Sequence, residues 1–259
     1  MVKLYIGSKF SKKNLPMKIA DHALKLFDGP GTFARSKVIH STACYLNKND
    51  QLFTINVGEQ GSPRCREDLW MLHFLRCYSD CIVTTGQTLR KEADAFRQGI
   101  PQMLGFDPKI YFQKPKPLCI LTNTLNKNFT QSNPVYFDKN YQKLIMTKPA
   151  TLQRYKEYVH DEIPEGVSLQ AIEDLDLRKA IENLRKKYEM ILVEAGPSTS
   201  VPAYSKTHSV SKQQVPPESL DHLCDGNPID TLVLSMFVGK MIDQSCVGAP
   251  FLNMTWLQS

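Results

Sequence analysis

The stretch Ile191-Leu192-Val193-Glu194-Ala195-Gly196-Pro197-Ser198-Thr199 decides how the rest of the chain is read. Three apolar residues end in a carboxylate, and the chain then turns through Gly-Pro into two hydroxyl side chains. A run without polar alternation reads as a parallel strand buried on both faces. Open α/β sheets bind their ligands beyond the carboxyl ends of such strands, and Gly196 leaves a backbone that a phosphate can approach. Glu194 closes the apolar run, and a carboxylate there is costly to bury without partners. An ordinary strand followed by a Gly-Pro turn accounts for the same residues, so the segments around it carry the decision.

Those segments alternate. Strands are expected at 38–46 and 51–57, joined by a turn at Asn47-Lys48-Asn49-Asp50. Ser62-Pro63 reads as a helix start, with Ser as cap and Pro in the first turn, and the helix is expected to run to Tyr78. Further strands are expected at 80–85, 116–122, 143–147, 167–171 and 190–194. Leu177, Ile181, Leu184 and Tyr188 recur at helical spacing and mark an amphipathic helix over 176–188. Strand–helix–strand alternation implies an α/β fold with a mostly parallel central sheet flanked by helices.

Two more segments accompany the first. Leu75-Arg76 precedes Asp80-Cys81-Ile82-Val83-Thr84-Thr85-Gly86-Gln87-Thr88-Leu89-Arg90-Lys91-Glu92, and Ile229-Asp230 leads Thr231-Leu232-Val233-Leu234-Ser235-Met236-Phe237-Val238-Gly239. In this order and at these separations the three resemble the riboflavin-pathway reductase family, the C-terminal domain of the bacterial bifunctional deaminase–reductase. The resemblance covers roughly residues 38–240. It implies a dihydrofolate-reductase-like architecture and NADPH-dependent reduction of a phosphorylated ribosylamino-pyrimidine, with hydride reaching the sugar's first carbon through a ring-opened imine. It also implies a homodimer, with no metal and no covalent nucleophile.

The same resemblance assigns residues. Glu194 falls at the substrate–cofactor junction as the catalytic carboxylate. Gly86, Thr88, Gly196, Ser198 and Thr199 match positions that meet the dinucleotide phosphates, and Thr147 and Lys148 are candidates for the adenosine ribose and its extra phosphate. Arg90 and Glu92 match Thr-x-Arg-x-Asp/Glu on the substrate side, where a surface ion pair between them is the plain alternative. Thr85 stands where the family has a Gly, and a β-branched residue takes positive φ only at a cost. Lys48 and Asn49 stand near the family's Asp-Gly-Lys, with Asn47 in place of the Asp. Two other readings stay open: a same-fold reductase of another pterin or pyrimidine, and a catalytically silent dinucleotide-binding scaffold.

Composition fits this picture. The chain has 259 residues, 42% hydrophobic and 22% charged, enough for one reductase-like domain over 1–259 with an extension at 1–37. The net charge of +6 suits anionic small ligands. No Lys/Arg-dense run interleaved with aromatics points to nucleic acid, and no apolar run is long enough for a membrane span. Seven scattered cysteines read as reduced thiols of a cytoplasmic or mitochondrial protein. His73, Cys77 and Cys81 are spaced by four, but a strand beginning at Asp80 breaks that face, so buried thiols are expected rather than metal ligands. His160-Asp161-Glu162 lacks a following Pro-Cys-x-x-Cys, so no deaminase half is expected. The span 197–228 is rich in Ser, Pro, Gln and Lys without apolar periodicity and is expected to be a mobile insertion. The final sheet edge is expected to be incomplete, since only 251–257 follows the penultimate strand.

Overall fold

Nine strands form one sheet among the described residues of this computed structural model, which are 37–47, 51–55, 65–92, 96, 115–126, 128–158, 163–204, 228–237 and 247–253. The strands are β1 (Val38–Leu46), β2 (Gln51–Ile55), β3 (Cys81–Thr85), β4 (Lys116–Leu121), β5 (Tyr141–Thr147), β6 (Val167–Ala171), β7 (Ile191–Glu194), β8 (Thr231–Phe237) and β9 (Val247–Asn253). Their order is β6-β5-β4-β3-β7-β1-β2-β9, with β8 also paired to β1. All pairings are parallel except β1 with β2 and β2 with β9. The mostly parallel α/β sheet expected from the apolar runs is the one formed. Strand β3 is buried at all five positions, as a central parallel strand must be.

Helices cover both faces. They are α1 (Arg66–Tyr78), α2 (Gly86–Lys91), α3 (Pro149–Tyr158), α4 (Leu177–Leu184) and α5 (Pro197–Tyr204). Val38, Cys81, Val83, Cys119, Ile191 and Val193 pack on one face with Leu177, Ile181 and Leu184 of α4 and Ala203 and Tyr204 of α5. Ile82, Leu118, Ile120 and Ile145 point to the other face, with Leu89, Phe96, Phe129 and Tyr155. Asp176 caps α4 by accepting from the Lys179 amide at 2.8 Å.

Several boundaries differ from expectation. Helix α1 begins at Arg66 with Cys65 as its N-cap and no side-chain capping bond; Ser62 and Pro63 lie outside the described residues. Its C-terminus is held by Lys116, whose ammonium donates to the carbonyls of Arg76 at 2.7 Å, Cys77 at 3.3 Å and Ser79 at 2.6 Å, a cation on the negative end of the helix. The start of the expected insertion is not loop: 197–204 is helix α5, because Ser200, Ala203 and Tyr204 are buried on the sheet and the Tyr204 hydroxyl shares a 2.6 Å hydrogen bond with His40 Nδ1. The rest of that span, 205–227, lies outside the described residues, as do 1–36. The final edge is also more complete than expected. Strand β9 pairs antiparallel with β2, and Pro250, which has no N–H to donate, sits where the register shifts.

Two acidic residues of the family-like pattern tie strands together. The Asp230 carboxylate accepts from the Lys37 and Val38 amides, both at 2.8 Å, and from Arg185 at 3.1 Å. The Asp80 carboxylate accepts from the Met190 amide at 2.8 Å, fixing the start of β3 against β7. No helix among the described residues is long and apolar enough to cross a membrane.

Candidate functional site

The site begins where strands part. Strand β1 pairs with β7 only through His40–Val193, while it stays with β8 as far as Tyr45–Phe237. Since β8 runs along one edge of β1, β7 and β2 share the other edge and leave its middle unpaired among the described residues. Glu194 is the last residue of β7, beside Thr84 of β3 and on the same face. Openings of this kind at carboxyl ends are where open α/β sheets bind ligands.

Glu194 is not a lone carboxylate. Arg76 Nε donates to its Oε1 at 2.7 Å and Nη2 to its Oε2 at 2.5 Å, a bidentate pair across 118 residues of chain. The side chains are 2% and 11% exposed. The Arg76 guanidinium also lies 4.3 Å from the centre of the Phe96 ring. Each carboxylate oxygen uses one acceptor position on Arg76 and keeps another for a ligand hydroxyl or N–H. Helix α1 therefore supplies the partner that the sequence required but did not name. The available signal was Leu75-Arg76, at the end of a helix leading into β3.

A second carboxyl, Glu92, feels the charges of this pair. Glu92 does not sit with Arg90. Burial pushes it up to about 7, the negative Glu194 adds to the rise, and Arg76 and Lys91 oppose it. Its backbone is fixed by its amide donating to the Thr88 carbonyl at 2.8 Å and by Asn133 Nδ2 donating to its carbonyl at 3.3 Å. His73, also on α1, is pushed down to about 2 by burial and by the Arg76 charge, so it stays neutral.

A further acid lies across β1. Asp68 of α1 takes a hydrogen bond from the Ser235 hydroxyl of β8, and burial raises its pKa. Ser235 pairs in register with Ala43. Among the described residues, the sheet face between Ser235 and Glu194 carries Ser41 and Ala43 of β1, small residues across a span of roughly 10 Å. Asp68 and Ser235 had no signal in the sequence, because the contact depends on α1 lying across β8.

The glycine turns divide. A Cβ placed on Gly196 would meet nothing within 4 Å, and helix α5 starts at the next residue. That turn therefore has room beside it and fits a phosphate-bearing cofactor such as a nicotinamide dinucleotide. The Thr199 amide donates to the Gly196 carbonyl at 3.0 Å, whereas Ser198 is exposed. Gly86 is different. A Cβ there would lie 2.6 Å from Thr122 Oγ1 and 2.8 Å from its Cβ, so this glycine serves the packing of α2 against the end of β4. Thr88 donates its amide to Thr85 Oγ1 at 3.0 Å, and the two hydroxyls share a 2.9 Å bond. Both groups are engaged in a helix cap, not turned to a ligand. Thr85 has φ −117°, ordinary extended backbone, so its β-branch carries no strain.

The remaining predicted residues scatter. Arg90 is exposed beside Gly86, its Nη1 3.1 Å from where a Cβ would stand. Thr147 is fully buried and its hydroxyl has no hydrogen-bond partner among the described residues, so it does not offer itself to a ribose; Lys148 beside it is exposed. Lys48 and Asn49 lie outside the described residues. A cleft lined by Pro149, Leu152, Gln153, Lys156, Glu157 and Ala171 lies at the β6 edge of the sheet, four strands or roughly 19 Å from β7. Cys44, Cys77, Cys81 and Cys119 are thiols, and burial pushes Cys44, Cys77 and Cys81 up to about 12.

The fold is thus a mostly parallel α/β sheet whose carboxyl-end opening carries an Arg-clamped glutamate. Among solved structures the chain is similar to RibD of Acinetobacter baumannii, at 13% identity and TM-score 0.47, covering 89% of this chain and 54% of that one. It is also similar to a pyrimidine reductase-like protein of Corynebacterium diphtheriae, at 20% identity and TM-score 0.42, covering 73% and 72%. A third is the diaminohydroxyphosphoribosylaminopyrimidine deaminase/5-amino-6-(5-phosphoribosylamino)uracil reductase of Thermotoga maritima, at 16% identity and TM-score 0.38, covering 70% and 46%. The chain spans about half the length of the Acinetobacter and Thermotoga proteins. No family model matches the chain, and a comparison with curated proteins finds no match.

Proposed function

We propose that this chain is a reductase that uses NADPH to reduce the ring-opened imine of a phosphorylated ribosylamino-pyrimidine to the amine. The observation that carries the reading is the Glu194 carboxylate, clamped by Arg76 at the carboxyl end of β7 and followed at once by the open turn at Gly196. When bound, the dihydronicotinamide supplies hydride. Gly196 and Ser198 are the residues that would receive its phosphates. Glu194 accepts a sugar hydroxyl or the imine N–H through the positions that Arg76 leaves open. Its fixed orientation lets it favour positive charge on the protonated imine without reorganising as the reaction proceeds. The exposed Arg90 is a partner for the substrate phosphate. The reading includes a homodimer, which sedimentation would test.

The experiment offers the purified chain NADPH with the ribosylamino-pyrimidine phosphate and follows loss of reduced nicotinamide. Turnover that requires both supports the reading. No saturable NADPH binding at millimolar concentration refutes it. A second reading, reduction of a different heterocycle, is favoured by the Asp68–Ser235 pair. That acid can accept from a ring N–H and its neighbouring amino group, and Asn47 stands where the resemblance expects an Asp. Turnover with a pterin or another aminopyrimidine but not with the ribosylamino substrate would select it.

A further inference from the structure

Glu194 meets the site with acceptors alone. An ionised carboxylate has no hydrogen to donate, and Arg76 holds this one through Nε to Oε1 and Nη2 to Oε2. Those two donors are turned to Glu194 and are lost to a ligand oxygen. Each carboxylate oxygen retains a further acceptor position. The neighbour in register, Thr84 of β3, does not fill either one: its buried hydroxyl has no hydrogen-bond partner among the described residues. The Glu194 side chain keeps 11% exposure at the carboxyl end of β7, two residues before the open turn at Gly196. A group that reaches Glu194 must therefore bring a hydrogen or a positive charge. A carbonyl oxygen, itself an acceptor, would set lone pairs against lone pairs.

We infer that the Arg76–Glu194 pair sets the specificity of the reaction, admitting the protonated imine of a ring-opened sugar phosphate and rejecting the aldehyde of the same chain. This rests on the reductase reading above. The two electrophiles share their carbon skeleton, hydroxyls and phosphate, and hydrolysis of the imine yields the aldehyde. They differ in charge. The imine nitrogen takes a proton from water and donates the resulting N–H to a Glu194 oxygen. Hydride from the dihydronicotinamide then forms the C–H bond, and the C=N π pair moves to nitrogen. The product is a neutral secondary amine; the imine carbon is reduced by two electrons and the dihydronicotinamide is oxidised by two. On the aldehyde, the same hydride would send the C=O π pair to oxygen, and an alkoxide would develop against a fixed carboxylate. At the transition state the first path still carries part of a positive charge, and the second has gained part of a negative one. The carboxylate favours the first in kcat/KM and opposes the second.

The test is calorimetric titration of the whole protein, with NADP+ present, using two stable probes of equal length. One is the ribitol phosphate that carries an ammonium at its first carbon; the other is ribonate phosphate, with a carboxylate there. Wild type should bind the ammonium probe about 10- to 100-fold more tightly, the range of a hydrogen bond to a charged group. Glu194→Gln should bring the two within about threefold, and Glu194→Asp, which keeps the charge, should keep part of the difference. Given NADPH with the ribosylamino-pyrimidine phosphate or with ribose phosphate, wild type should prefer the first. Glu194→Gln should lower that ratio of kcat/KM values by about 10- to 100-fold, whereas a merely structural role would lower both values and leave the ratio. Equal binding of the two probes by wild type, or a preference that survives Glu194→Gln, overturns the proposal even if the enzyme is active. If neither probe binds and no imine is reduced, the proposal and the reductase reading fail together. Imine turnover in which Glu194→Gln cuts both kcat/KM values alike refutes the discrimination alone.

Discussion

Replacing Arg76 by Met tests the site at its most loaded point. The side chain is 2% exposed, and its two bonds to Glu194 are the bidentate, charge-assisted kind. Met keeps the apolar stem and removes only the cation. Breaking a buried pair by deleting one partner costs roughly 3–5 kcal/mol, because the other charge is left without compensation. Domains are stable by only about 5–15 kcal/mol, so the loss should be plain in urea unfolding at pH 8. The pH dependence fixes the cause. In the variant the carboxylate of Glu194 is left buried without its cation. The deficit belongs to the charged form, so it is present where carboxylates are ionised and absent where acid protonates them. The gap between variant and wild type should therefore be widest above pH 7 and close on acidification. Arg76→Met combined with Glu194→Met should recover most of the loss, since a buried pair is replaceable by apolar groups of similar size. Arg76→Met within about 1 kcal/mol of wild type at pH 8, or a deficit that widens toward low pH, would refute the reasoning.

The two glycine turns should respond oppositely. Gly86→Ala meets Thr122 and should lose about 1–3 kcal/mol in thermal melts, while Gly196→Ala folds like wild type and weakens NADPH in a fluorescence titration. Glu92→Gln should match wild type in stability below about pH 3.5, where both side chains are uncharged in folded and unfolded chains. Above pH 7 it should be more stable by about 2 kcal/mol, because wild type then ionises a carboxyl whose folded pKa is raised; denaturant midpoints at the two pH values measure this. Asp230→Ala removes the acceptor of two backbone amides and of Arg185, and should cost about 2–3 kcal/mol, read as early hydrogen exchange at Lys37 and Val38.

The sheet was legible because its central strands are short, uninterrupted apolar runs. Ile191-Leu192-Val193 and Cys81-Ile82-Val83 need no tertiary information to read as buried parallel strands. Helix α5 was illegible for the opposite reason. Pro197-Ser198-Thr199-Ser200-Val201-Pro202-Ala203-Tyr204 has weak helical propensity and two prolines, and forms because Tyr204 reaches His40 and Ala203 packs on the sheet. Strand β9 was hidden by Gly248 and Pro250, which spoil the alternation that marks an edge strand. In the site, the sequence showed that Glu194 needed a partner but not which of the basic residues reached it, since Arg76 is 118 positions away.

The family-like motif also separates by the kind of bond each residue makes. Asp80 and Asp230 spend their carboxylates on backbone amides at strand starts, and Gly86 admits Thr122; a protein that only had to fold would need these. Arg76, Glu194 and Glu92 are another matter. Buried ion pairs are often no more stabilising than apolar side chains of the same volume, and burial raises the Glu92 carboxyl as well. A silent scaffold gains nothing from that cluster that Leu or Met would not supply better. The open space at Gly196 points the same way, since Ala would fit there without strain and would lower the entropy of the unfolded chain. The features that folding does not require gather at the carboxyl end of β7 and the turn that follows it, where a ligand would use the acceptor positions left on Glu194 and the backbone left bare at Gly196.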